Sequence, residues 1–310
     1  MGAVVVIGSA NADTAVLVGR HPRPGETVLG SAIEIGPGGK GLNQAVASAR
    51  AGTRTVFVGA TGDDAPAAMV REALRECGAE PVLVGSLQPT GTAYVMVSEA
   101  GENAIVVTSG ANGDQDALDK AVDSGISGIG PTDVVLLQLE IPVQTVQRAL
   151  QAARSAGATT VLNAAPSVPT DAIALELVDI LVVNEHECLA LAPDCGELAD
   201  AARALAGKVG TVIVTLGEEG CLTVTASGTT TLPAFPVTAV DTTAAGDTFC
   251  GALCAELAVG AALAEGIDYA MAAAAITVQR HGAASSIPQR TEVEALLATR
   301  SVETKNGNNL

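Results

Sequence analysis

Tryptophan is absent, and the aromatic complement is two tyrosines and three phenylalanines, which leaves little with which to sandwich a nucleobase. Basic residues are scarce as well: 16 Lys and Arg stand against 34 Asp and Glu, for a formal net charge of −18. No Lys/Arg cluster is present to hold a phosphate backbone, which excludes a nucleic-acid surface. Any anionic ligand must be held locally, by backbone N–H groups, a few basic side chains or a metal. The three histidines, His21, His186 and His281, are too scattered to form a metal centre. Six cysteines occur without CxxC spacing. Cys250 and Cys254 share a helix face, but no further Cys/His cluster completes a zinc site, so the thiols read as reduced core residues of a cytosolic protein. No uninterrupted apolar run reaches membrane-spanning length. Met1-Gly2-Ala3 before Val4–Ile7 lacks a basic region and a long apolar core, so this start reads as a first strand and not a signal peptide. There is no internal repeat and no low-complexity linker.

What is present is apolar substance: 48% apolar against 16% charged residues over 310 positions, enough to bury one large α/β domain or two smaller ones. Val4–Ile7, Thr55–Val58, Val134–Leu137, Thr159–Leu162, Ile180–Val183 and Val212–Thr215 read as buried strands. Leu42–Ala51, Ala65–Cys77, Val143–Ala156, Glu197–Ala206 and Thr248–Val259 read as helices between them. This alternation predicts a mostly parallel sheet with helices on both faces, whose ligands collect at the carboxyl ends of the strands. Polar residues sit at those ends: Asn11, Asp13, Glu140, Asn163, Asn184, Glu187 and Gly217. Thr14–Ile35 and Gly91–Val107 break the pattern by alternating apolar and polar residues around Pro22, Pro24, Gly25, Gly101 and Asn103. They predict antiparallel strands of a small separate sheet placed to cover a site. The expected organisation is a single α/β domain over 1–300, with lid segments 14–35 and 91–107 inserted and a disordered tail over 301–310.

The most informative stretch is Val240–Phe249, VDTTAAGDTF. Small residues precede Asp247 at the start of a long apolar helix, where unpaired N–H groups and the macrodipole favour an anion. An acid there repels phosphate, but it suits a base that takes a proton from a hydroxyl while the N–H groups of Ala244, Ala245 and Gly246 hold incoming charge. An ordinary helix start with Asp247 favouring the dipole also fits these ten residues. Gly36-Pro37-Gly38-Gly39-Lys40-Gly41 satisfies G-x-G-x-x-G, but it follows the inserted segment instead of the first strand, so it is not a dinucleotide fingerprint. Lys40 is followed by Gly41 and not by Ser or Thr, so it is not a Walker loop either. Asn11 and Asp13 fit simple turn residues; with Gly38, Gly39, Asn43 and Glu140 they also make a set of hydroxyl-binding groups suited to a sugar. Asn184 and Glu187, three apart on a helix turn, fit either a capped helix start or a pair that orders water around Mg²⁺.

In order along the chain stand GSANAD (Gly8–Asp13), PGET (Pro24–Thr27), GGKGLNQA (Gly38–Ala45), TGDD (Thr61–Asp64), QLE (Gln138–Glu140), Asn184-x-x-Glu187, TLG (Thr215–Gly217) and DTTAAGDTF (Asp241–Phe249). On these eight motifs, from Gly8 to about Pro288, the chain resembles the carbohydrate kinases of the ribokinase (PfkB) family. The resemblance implies a ribokinase-like α/β fold, a doubly wound, mostly parallel sheet with a small β-sheet lid. It implies Asp247 as the base on a primary hydroxyl and Ala244, Ala245 and Gly246 as the anion hole. Asn11, Asp13, Gly38, Gly39, Lys40, Asn43 and Glu140 would hold the sugar. Asn184, Thr215, Gly217 and Gly246 would contact ATP, with Glu187 acting on Mg²⁺ indirectly. A K⁺ site would match Asp241, Thr243, Thr277, Arg280, Gly282 and Ser286. Met271 falls where some relatives carry a histidine near the adenine, and a thioether can still pack against a base.

The expected activity is ATP-dependent phosphorylation of the 5-hydroxyl of D-ribose in the cytoplasm. The alternatives are a kinase of fructose, deoxyribose or adenosine, or a silent sugar-binding protein. Intact Asp247 and an intact Ala-Ala-Gly turn favour catalysis. Apolar residues alternating through the lids, Val16, Val18, Val28 and Ile33 and then Ala93, Val95, Val97, Ile105 and Val107, predict a homodimer joined there. No nucleic-acid or membrane partner is expected.

Overall fold

The computed structural model describes residues 2–98, 100 and 103–307; Gly101, expected at a lid turn, lies outside them. The strands in chain order are β1 (Val4–Ile7), β2 (Asn11–Val18), β3 (Gly30–Gly38), β4 (Thr55–Thr61), β5 (Glu80–Gly85), β6 (Gly91–Ser98) and β7 (Asn103–Thr108). Then come β8 (Val134–Leu137), β9 (Thr159–Asn163), β10 (Ile180–Asn184), β11 (Thr211–Thr215), β12 (Cys221–Thr225) and β13 (Gly228–Leu232). The helices are α1 (Lys40–Arg50), α2 (Ala65–Cys77), α3 (Gln115–Gly125), α4 (Val143–Ser155), α5 (Glu185–Leu191), α6 (Leu198–Ala206), α7 (Ala245–Ala258), α8 (Leu263–Thr277) and α9 (Arg290–Gly307).

Among the described residues nine strands form the main sheet in the order β13-β12-β11-β10-β9-β8-β1-β4-β5. It is parallel from β11 to β5, with β12 and β13 added antiparallel at one edge. The β-branched runs are uninterrupted because both faces are covered. Val4 and Val6 of β1 face a layer containing Leu42 of α1, Phe249 and Leu253 of α7, Ile276 of α8 and Val293 of α9. Val5 and Ile7, one residue out of phase, face Leu118 of α3, Leu150 of α4, Cys188 of α5 and Leu205 of α6.

Four strands form a second sheet in the order β3-β2-β6-β7, and it corrects the lid expected from sequence in three ways. It is mixed and not antiparallel, because β2 and β6 run parallel at its centre. It starts at Asn11 instead of Thr14, so Asn11 and Asp13 are strand residues and not turn residues. The glycine-rich Gly36–Gly38 continues β3 in place of turning. Pairing puts Asn11 and Asp13 on one face with Ala93, Val95, Ile105 and Val107, while Val16, Ile33, Ile35, Tyr94 and Val106 lie on the other. The apolar residues of the lid therefore divide between its two faces. At the far end α9 runs to Gly307, and residues 308–310 of the tail expected from Ser301 lie outside the described ones. No helix among the described residues is long and apolar enough to cross a membrane.

Helices α1 and α7 cross closely enough that Gly251 has no room for a side chain. A Cβ there would lie 2.3 Å from the Gln44 carbonyl oxygen and 2.6 Å from Ala47 Cβ. Gly251→Ala is expected to lower the unfolding free energy by about 1–3 kcal/mol through overpacking. Coincident urea midpoints for variant and parent would contradict this packing.

Candidate active site

The chain must leave the lid and enter α1 directly beneath the carboxyl end of β1. Gly39 makes that possible: its φ is 90°, and even an ideal Cβ would stand only 3.0 Å from the Asn11 nitrogen. The turn delivers Lys40, Asn43 and Gln44 on α1 to the strand ends, opposite the start of α7. Ala244 precedes α7 with φ 60° and ψ 8°, a left-handed conformation that costs a non-glycine residue about 1–2 kcal/mol. This places the first turn, with Asp247 inside it, against α1.

Asp247 is 7% exposed, and both its oxygens are held from α1. Asn43 Nδ2 donates to Oδ2 at 2.9 Å and Gln44 Nε2 to Oδ1 at 3.1 Å. Glu140 accepts from the Ser9 hydroxyl at 2.6 Å and from the Lys40 backbone N–H at 3.0 Å. Asn11 Oδ1 accepts from Asn112 Nδ2 at 2.7 Å, and Asn112 also brackets the backbone of Ala10. Two buried oxygens in this cluster, Asp13 Oδ1 and Asn43 Oδ1, have no partner. Buried acceptors are rarely left so; these two are ready for incoming hydroxyl donors. Burial, then the charge of Glu140 and that of Asp247, push the Asp13 carboxyl up to about 6. Lys40 is held above its usual value by Asp247 first, with Glu140 and Glu187 adding to it against burial.

Three depressions follow one another across the strand ends. A groove of about 520 Å³ is lined by Asn11, Asn112, Leu139, Glu140 and Pro166. A channel of about 230 Å³ is lined by Lys40, Asn184, Glu187, Ala244, Gly246 and Asp247. Thr215, Thr242 and Gly246 line both this channel and an apolar cleft of about 510 Å³, which also contains Gly217, Phe235 and Met271. Lys40, expected among the sugar-binding groups, lends its backbone to Glu140 but turns its side chain into the channel. Asn184 and Glu187 form a reciprocal capping box, with bonds of 2.8 and 2.9 Å, at the start of α5.

The expected K⁺ positions lie on the turn before α7 and at and after the end of α8, and Asp241 joins the two segments. Asp241 accepts from the Thr243 N–H at 2.9 Å and the Gly282 N–H at 3.0 Å. Burial raises its carboxyl, but these bonds prevail and hold it below its usual value. Thr277 donates to Thr248 at 3.1 Å, joining α8 to α7. Arg280 turns outward to Glu292, and the Ser286 hydroxyl donates to the Ala283 carbonyl at 2.7 Å. Among the described residues no group of three or more His, Cys, Asp or Glu side chains could hold a metal.

Sequence reasoning assigned no part to Gln44, Asn112 or Ser9, nor to Asn163 beyond its place at a strand end. Gln44 lies inside the quoted Gly38–Ala45 motif, but a neutral amide carries no charge or periodic signal.

A model of the pfkB family carbohydrate kinase matches residues 1–290. The ribokinase of Schizosaccharomyces pombe is 40% identical over 309 residues, covering 94% of this chain and 96% of that one. The solved ribokinase of Thermotoga maritima superposes with a TM-score of 0.87 at 34% identity, covering 96% of this chain and all (100%) of its own. An Arabidopsis thaliana ribokinase solved with ribose and ATP gives 0.83 at 32% identity, covering 96% and 99%.

The Asp13 carboxyl is expected to titrate near 6 by carbon-detected NMR, and to move down in Glu140→Gln, which removes a neighbouring charge but keeps the acceptor. Titration at the ordinary 3.8, or no response to the substitution, would contradict the crowding of these acids.

Proposed function

The chain belongs to the pfkB family of carbohydrate kinases, and from that premise we propose that it transfers the γ-phosphoryl group of ATP to the 5-hydroxyl of D-ribose. One observation carries the reading: a buried carboxylate, Asp247, stands in a channel between an apolar cleft and a groove lined by hydroxyl-binding groups. The ribokinases of Schizosaccharomyces pombe and Arabidopsis thaliana support it. Ribose would lie under the lid against Asn11, Asp13, Gly38, Gly39, Asn43 and Glu140, with its hydroxyls donating to the unpartnered oxygens of Asp13 and Asn43. ATP would place adenine against Met271 and the backbone by Gly217 and Thr215, and its phosphates along Asn184.

Asp247 then accepts the proton as the 5-hydroxyl oxygen attacks the γ-phosphorus in line and the bond to the β–γ bridging oxygen breaks, releasing ADP. The N–H groups of Ala244 and Gly246 and the Lys40 ammonium hold the charge on the transferred group, and the Ala245 N–H joins them by leaving the Thr242 carbonyl, to which it donates at 3.3 Å. The lid over the sugar excludes water, which would otherwise take the phosphoryl group. Glu187 fits an indirect contact to Mg²⁺, since one carboxylate and no multi-residue cluster suits an ion that keeps its water; Mg²⁺ would supply charge neutralisation on ATP. Asp241 with the carbonyls of Thr243, Thr277, Arg280 and Gly282 and the Ser286 hydroxyl is an all-oxygen set. It fits K⁺, which would stiffen the turn before Ala244.

The reading treats residues 1–300 as a single kinase domain with its lid. With all six cysteines free, it places the enzyme in the reducing cytoplasm. Ile33, Ile35, Tyr94 and Val106 are exposed on the lid face turned away from Asn11 and Asp13, and we attribute this to a homodimer that buries them across a two-fold axis.

Asp247→Asn keeps shape and is expected to lower kcat with ribose by roughly 10²–10⁴. Activity within a few-fold of the parent would contradict the base, and faster turnover of fructose, deoxyribose or adenosine would overturn the ribose assignment. Val106→Glu is expected to convert a dimer to monomers in sedimentation at micromolar concentration. A parent chain already monomeric there, or a variant still dimeric, would count against the lid interface.

A further inference from the structure

Behind Asp247 lies a set of buried amides that the proposed reaction does not use. Gln44 and Gln138 are wholly buried and are not among the residues lining the groove, the channel or the cleft. The two ends of a carboxamide differ only in what they donate or accept, so partners decide which way each points. Here the order starts at a main-chain group that cannot turn. The Val182 carbonyl accepts from Asn163 Nδ2 at 3.2 Å, so Asn163 presents its oxygen to Gln44. Gln44 Nε2 answers with one hydrogen to Asn163 Oδ1 and the other to Asp247 Oδ1, both at 3.1 Å. Gln44 Oε1 is then left to accept, and Gln138 Nε2 donates to it at 2.7 Å. The space for Gln138 comes from Gly8, where a Cβ would fall 1.8 Å from Gln138 Oε1.

We propose that Gln44 and Gln138 are positioning residues: a relay anchored on the Val182 carbonyl that fixes one oxygen of Asp247 and so keeps the other aimed at the substrate hydroxyl. Asn43, which also reaches Asp247, has an unpartnered oxygen for substrate. Gln44 has its amide nitrogen and oxygen both engaged within the protein, and acts only through the carboxylate. Gln138 locks Gln44: without its donation the Gln44 amide can flip and turn its carbonyl oxygen on the carboxylate. The proposal rests on Asp247 being the base.

The test uses the full chain with ribose and ATP in steady state. Gln44→Met and Gln138→Met keep length and volume without hydrogen bonds. Gln138→Glu substitutes an acceptor that draws the Gln44 amide nitrogen away from Asp247. Gln44→Met and Gln138→Glu are expected to lower kcat roughly 10- to 100-fold, the loss typical of a hydrogen bond to a charged group. KM for both substrates should stay within about two-fold, because the interaction lost is to the reacting group alone. Gln138→Met should fall between these variants and the parent. In an Asp247→Asn background, Gln44→Met should change the residual rate no further, since its effect passes through that carboxylate. Should Gln44→Met not fold, the Gln138 pair carries the same test. Full kcat in both Gln138 variants, or losses that add to Asp247→Asn, would overturn the relay while leaving the base intact. Near-parental activity of Asp247→Asn itself would overturn the base and the relay together.

Discussion

A carboxylate held inside the protein by hydrogen bonds from a neighbouring helix is the constraint on which the rest of this structure depends. Asp247 can be buried at low cost only because Asn43 and Gln44 each give it an N–H. Both donors sit on α1, so α1 must lie against α7, and Gly251 must stay free of a side chain to permit it. The closeness of α1 to the strand ends in turn requires the positive φ of Gly39 at the lid exit. The left-handed Ala244 completes the arrangement by directing the start of α7 into the channel. Strain at one alanine and the lack of a side chain at two glycines thus serve a single carboxylate.

The same geometry answers how a chain of net charge −18 can receive a polyphosphate. No broad basic surface is needed, because the favourable field is local: helix-start N–H groups and the single ammonium of Lys40. Around these stand Asp13, Glu140, Asp247 and Glu187. Their mutual repulsion is visible in Asp13, whose carboxyl is pushed up to about 6 by burial and by two of its neighbours. Sugar hydroxyls, which donate hydrogen bonds and carry no charge, suit such a place better than any anion. In the proposed reaction the acids would sort the two substrates, sugar on one side of Asp247 and phosphate on the other.

Much of this was legible in the sequence, and the exceptions have physical causes. The parallel strands were readable because both faces are buried, which makes each an uninterrupted β-branched run such as Val4–Ile7. The α7 start was readable because small residues before an acid have few other uses. Helix α8 was missed because its Ala-rich sequence is buried nearly all round and so shows no 3.6-residue period. The lid edges were misplaced because Asn11, Asp13 and Gly36–Gly38 carry turn composition, yet here they pair in a sheet. Gln44, inside a motif, and Asn163, at a strand end, showed a place but no role, and Asn112 showed neither: a neutral amide becomes informative only when its partners are known.

The most direct test of the central claim is a crystal structure of the chain with ribose and a non-hydrolysable ATP analogue. The account predicts the 5-hydroxyl oxygen within about 2.6–3.2 Å of an Asp247 oxygen, in line with the γ-phosphorus, with Gln44 still bonded to the other. A 5-hydroxyl turned away from Asp247, or a γ-phosphate lying outside the channel between Lys40 and Gly246, would contradict it.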